Sequence, residues 1–136
     1  MIVEFQDLED RVSPYNGSQY SDAAKVVELL ESIAMSRPPS MCEIIGDNGV
    51  TLTVGVGGKI GCAQFAASNG MPPYLMAVNT SDKVVDAGAL EFCVGGTATP
   101  IEHRYCIPIR MVKLIVIVFV ESGNRGVAQT SLWMSG

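Results

Sequence analysis

The spacing of hydrophobic and polar positions changes several times along the chain, and each change predicts an element. Val3 and Phe5 alternate with Glu4 and Gln6, which predicts a short opening strand over 2–6. Asn16, Gly17 and Ser18 mark a loop. The period then becomes helical: Ala23, Val26, Val27, Leu30, Ile33 and Ala34 form an apolar stripe, with Lys25, Glu28 and Ser32 opposite. Ser21 is the expected N-cap, and Pro38-Pro39 ends the helix after about residue 35. From Met41 the period falls to two. Asp47-Asn48-Gly49 is a hairpin turn between strands at 42–45 and 50–56, in which Val50, Leu52, Val54 and Val56 share one face. Gly57-Gly58 turns the chain into a strand at 60–67, and further strands follow at 74–78 and 89–94. Consecutive strands joined by short turns predict an antiparallel meander.

Residues 109–121 are rich in Val and Ile, yet the stretch is long for a strand, and Arg110, Lys113 and Glu121 fall on one helical stripe. Pro108 suits the start of a helix and Gly123 its end. A nearly all-buried helix against the sheet is therefore predicted, with a last strand over 127–134 bearing Trp133. The expected architecture is α+β: an antiparallel sheet of about five to seven strands with two packed helices, in a single domain spanning 1–136.

Composition narrows the class. The chain is 48% hydrophobic and 17% charged, which excludes a disordered polymer. Its longest uninterrupted apolar run, 114–120, is far below the roughly 20 residues of a membrane-spanning helix. The first residues show no export signal, so an intracellular, cytoplasmic protein is expected, and the triplets at Asn16 and Asn79 carry no glycosylation meaning. The net charge is −5 and the acids crowd the first 43 residues. Such a surface is repelled by phosphate backbones and attracted to basic proteins, so no direct nucleic-acid or membrane partner is expected.

Catalytic chemistry has few candidates. His103 is the sole histidine; paired with Cys106 it would be a nucleophile and base, but a polar connection flanks one and an apolar stretch follows the other. Cys42, Cys62, Cys93 and Cys106 are scattered in apolar stretches and read as reduced, buried thiols, not as metal ligands. The glycine run 55–61 departs from a phosphate loop, since Ile60 follows Lys59 and Thr53 takes the place of the first glycine. Those glycines read as turn and close-packing residues. No catalytic residue, metal or cofactor is assigned.

A longer pattern does carry a resemblance. The run Gly46-Asp47-Asn48-Gly49 through Gly57-Gly58, then Gln64-Phe65, Asn69-Gly70, Pro72-Pro73-Tyr74-Leu75, Phe92 and Gly95-Gly96-Thr97-Ala98-Thr99-Pro100-Ile101, resembles the first-numbered immunity family of bacterial polymorphic toxin systems. It covers about residues 41–123. Ala98 stands where the family often has Pro, and the helix over 109–121 is less amphipathic than usual. The resemblance implies a non-enzymatic, stoichiometric inhibitor of a secreted toxin; the family includes proteins that protect against deaminase toxins, such as the double-stranded DNA cytidine deaminase. Immunity to a nuclease or other toxin enzyme is the alternative within that class. A small ligand-binding enzyme using His103, or an interaction module associating through the helix over 109–121, lie outside it.

For the partner-binding surface the expected residues are Asp7, Glu9 and Asp10 as an acidic patch, Asp47 and Asn48 at a hairpin tip, Tyr74, and Glu102. Acidic groups stand in for phosphate in a basic groove, and aromatic side chains anchor interfaces, with Tyr15, Tyr20, Tyr105 and Trp133 as further candidates.

Overall fold

The computed structural model describes residues 1–72, 74–78, 89–123 and 133–135. It begins with β1 (Val3–Asp7), β2 (Gln19–Tyr20) and α1 (Ala23–Ser36). The meander follows as β3 (Ser40–Gly46), β4 (Val50–Val56), β5 (Ile60–Ala67) and β6 (Leu75–Ala77). Then come β7 (Ala89–Val94), β8 (Thr97–Glu102), a turn of 3-10 helix at His103–Tyr105, β9 (Ile107–Pro108), α2 (Ile109–Ser122) and β10 (Trp133–Ser135). The main path through the sheet runs β10-β6-β5-β4-β3-β1-β2, so the architecture is α+β with an open, almost wholly antiparallel sheet. The predicted strands at 50–56, 60–67 and 89–94 coincide with β4, β5 and β7. Of the strand expected over 127–134, residues 127–132 lie outside the described ones.

The meander stops at β6. Instead of continuing it, β7 lies parallel to the start of β3, with Ser40 opposite Cys93 and the Cys93 N–H donating to the Pro39 carbonyl at 2.8 Å. The reason is an edge left open: β1 pairs with β3 from Gly46 to Cys42 and ends at Asp7, freeing the backbone of β3 at Ser40. β8, which the sequence reading does not anticipate, pairs antiparallel with β7 across the turn Gly95-Gly96, both glycines at positive φ. Pro100 sits in β8, which among the described residues pairs with β7 alone, and such an edge strand tolerates a proline.

Both helices cover one face of the sheet. The core there joins Val3 and Phe5 of β1, Cys42 and Ile44 of β3, and Leu52 and Val54 of β4 to Val26, Leu30 and Ile33 of α1 and Val112, Ile115 and Phe119 of α2. Phe65 meets Phe119 edge to face at 5.5 Å between ring centroids. Asp22, not Ser21, caps α1, accepting the Ala24 N–H at 3.0 Å; Ser21 lies one residue too far from the first turn. Leu29 joins the predicted apolar stripe. α2 is less enclosed than its composition predicts. The sheet and α1 cover the side bearing Val112, Ile115, Val116, Phe119 and Val120, which leaves Leu114 exposed and Ile117 and Val118 half-buried. Pro108 precedes the helix in extended conformation, paired with Ile60, and Gly123 ends it in the left-handed region.

A smaller apolar cluster forms on the opposite face. A Cβ at Gly55 would come within 2.8 Å of the Phe92 ring and 2.6 Å of the Cys62 sulfur, so only glycine lets the Phe92 ring of β7 pack against Gly55 of β4. Phe92, Cys62 and Cys106 are buried there.

Candidate interaction surface on the open face of the sheet

Beyond Phe92, the helix-free face of the sheet carries side chains of moderate size and mostly polar character. The period of two sends Glu4 and Gln6 of β1, Glu43 of β3, Thr51 and Thr53 of β4 and Gln64 of β5 to this side. Register aligns them in a row: Gln6 opposite Glu43, Glu43 opposite Thr53, Thr53 opposite Gln64, and Gln64 opposite Met76. Two shallow hollows share Glu43. One, of about 220 Å³, is bounded by Thr53, Gln64, Ser68 and Tyr74. The other, of about 360 Å³, is bounded by Gln6, Leu8, Arg11 and Asn16. The face is thus a trough between the loop 8–18 and the β5–β6 turn, with one carboxylate near its middle.

Burial raises the Glu43 carboxyl above its ordinary pKa; Arg11 lines the same hollow, but among the described residues no cation forms an ion pair with Glu43. Glu4, its neighbour across the row, is engaged by Gln6, whose Nε2 donates to Glu4 Oε2 at 3.0 Å.

Asp7 behaves differently. It is 4% exposed and forms a bidentate pair with Arg37, both guanidinium nitrogens donating to its oxygens at 2.7 Å. Its Oδ1 also accepts the N–H groups of Glu9 at 2.9 Å and Asp10 at 3.1 Å. Arg37 Nε donates to Ser40 Oγ at 2.9 Å. Burial pushes the Asp7 carboxyl upward, but the guanidinium and the two backbone donors outweigh it and hold the pKa below the ordinary value. Asn16 completes the knot, accepting the Asp7 N–H at 2.7 Å and donating to the carbonyls of Asp10 and Arg11. The expectation of Asp7 as part of an exposed acidic patch is therefore corrected: its side chain is buried and consumed in holding the loop 8–18. Spacing in sequence gave no sign of Arg37, thirty residues away.

The other expected contact residues are dispersed. Glu9 and Asp10 are half-buried in the loop 8–18, where Glu9 Oε1 accepts the Gly96 N–H from the β7–β8 turn. Asp47 and Asn48 are exposed at the far end of β3, where Asn48 Nδ2 donates to the Gly123 carbonyl at 2.8 Å. Tyr74 borders the trough near that end, its hydroxyl donating to the Gly70 carbonyl. Glu102 ends β8 and pairs with Arg104 at the surface. Glu43, Thr53 and Gln64 were missed; single polar residues within strands carry no sequence signal beyond alternation.

The possible chemistry at His103 and Cys106 does not assemble. The Cys106 thiol is buried and directed at the carbonyls of Ile101 and Glu102, at 3.7 and 3.5 Å, while His103 is exposed. Among the described residues, no three His, Cys, Asp or Glu side chains gather as a metal site, and no helix is long and apolar enough to cross a membrane. Cys42, Cys62 and Cys106 are buried free thiols; Cys93 is only half-buried, because β7 lies at the margin of β3. Burial pushes the Cys42 and Cys62 thiols up to about 12, which suits packing and not nucleophilic attack.

Helices thus cover one face of the open sheet, and the other face carries a polar trough. The sequence model of the family described as Immunity protein Imm1 matches residues 16–127, most of the chain, and the chain belongs to that family. The match reaches well before residue 41, so α1 is part of the family's fold. A search of curated proteins gives no match. Membership makes the chain a non-enzymatic immunity protein with a cognate toxin as its partner.

Proposed function

We propose that the chain binds one copy of a cognate secreted toxin domain in the cytoplasm of its maker and blocks that toxin's active site or substrate groove. The toxin is a nucleic-acid deaminase, with DNA cytidine the first substrate to test. Family membership over residues 16–127 carries the inhibitory role. The deaminase assignment rests on the resemblance of the glycine- and proline-marked turns between 46 and 101 to the immunity proteins of such toxins. The net charge of −5 supports it, because a toxin that works on nucleic acid needs a basic groove. Glu9 and Asp10, on a loop held rigid by Asp7 and Arg37, steer the basic partner, with Asp47, Asn48, Tyr74 and Glu102 as further contacts.

The test is a titration of the purified protein into the activity assay of the toxin domain encoded beside its gene. The expected outcome is loss of cytidine deamination at one equivalent. Full activity at a large excess removes the reading, and inhibition of strand cleavage in place of deamination moves it to a nuclease.

A further inference from the structure

The trough has properties that a solvated sheet face lacks. Among the described residues, seven large apolar side chains are exposed, and four of them, Val12, Tyr15, Met71 and Tyr74, ride on the two connections that border it. Exposed apolar groups beside a polar hollow mark an interaction site, and tyrosine is a frequent anchor. The floor between them, Thr51, Thr53 and Ala66, is made of small side chains that allow a partner's backbone to come close.

Charge selects the occupant. Glu43 lies near the middle of the trough, half-buried, and makes no ion pair among the described residues. Arg11 lines the outer part of one hollow and is exposed. A carboxylate partly withdrawn from water without a cation costs folding free energy, and a Lys or Arg delivered from outside relieves that cost on binding.

We propose that the helix-free face of the sheet is the docking surface for the toxin domain, and that Glu43 receives a Lys or Arg side chain presented by that domain between apolar groups. The inference rests on the immunity reading above and adds the surface and its anchor.

Inhibition constants measured with the same toxin domain test it. Glu43→Gln keeps the shape and removes the charge; it is expected to weaken inhibition about ten- to a hundredfold, as loss of a desolvated charge pair does. Gln64→Arg places a long cation on the floor and is expected to weaken inhibition about a hundredfold or more. Met35→Ala, on the helical side, is expected to stay within about twofold of the parent, because that side is left out of the contact. The parent's affinity is expected to fall more steeply with salt than that of Glu43→Gln. Thermal melts control for folding, and Glu43→Gln is expected to melt no lower than the parent because burial disfavours the charge it removes. If the parent inhibits and both trough variants inhibit equally well, the docking inference is overturned. If Met35→Ala is the weakened variant, the helical side is the interface and the inference is again overturned. A parent that leaves the toxin fully active removes the immunity reading, and the docking surface falls with it.

Discussion

Asp7 and Glu43 occupy paired strands, with Gln6 opposite Glu43 and Asp7 one residue further on, yet the fold treats their carboxylates in opposite ways. Asp7 points to the buried side, where Arg37 and two backbone N–H groups favour its charge; Glu43 points to the trough, where burial acts alone. Replacing Arg37 by Met would leave Asp7 buried without its cation, and a loss of about 3 kcal/mol is expected in urea unfolding at pH 7. The pH dependence follows from the direction of the shift. Because the folded pKa of Asp7 lies below its unfolded value, the pair stabilises fully above about pH 4 and loses that effect as pH falls through the lower folded value. The difference between parent and Arg37→Met is therefore expected to shrink when unfolding is repeated in strong acid. At this scale the sequence was a poor guide. Acids at 7, 9 and 10 look alike in a string, and what separates them is a guanidinium brought in by the end of α1.

At the scale of elements the sequence is more informative. Alternation and turn chemistry locate β4 and β5 without error in bounds, and the pair Pro108 and Gly123 brackets α2 although its Val and Ile content favours a strand. Two things escape. β8 reads as a turn because Gly95 and Gly96 immediately precede it and Pro100 lies within it, and an edge position tolerates the proline. The parallel contact of β7 with β3 joins residues more than fifty apart, and no local period encodes it. The cap of α1 offers a direct check. Asp22→Ala is expected to cost about 1 kcal/mol, and Ser21→Ala less than about 0.5 kcal/mol, in thermal or urea unfolding. Phe92→Ala tests the smaller apolar cluster: opening a hole above Gly55 and Cys62 is expected to cost about 3 kcal/mol or more. An unchanged melting temperature would mean that the β7–β8 hairpin is not anchored through that ring.

At the scale of the whole molecule the charge of −5 governs how fast a basic partner arrives. Reversing Glu9 and Asp10 to Lys is expected to slow association about tenfold at low salt, with little change in dissociation, and the gap is expected to close as salt rises. Stopped-flow mixing with the toxin domain measures both rates. The family pattern was legible from residue 41 onward because glycines and prolines mark its turns. The stretch 16–40 belongs to the same family but is written in ordinary helical spacing, which many folds share. One strand shows what such a design permits. β3 turns Cys42 and Ile44 toward the helices and Met41, Glu43 and Ile45 toward the trough. The second set is half-buried on the other face, so changes there leave the core layer beneath the helices intact. A saturation scan scored by yield of folded protein is expected to show tolerance alternating with a period of two along Ser40–Gly46. With the trough as the proposed docking surface, a lineage exchanges one adversary for another by single-residue steps at alternate positions, and recognition drifts while the scaffold stays where it is.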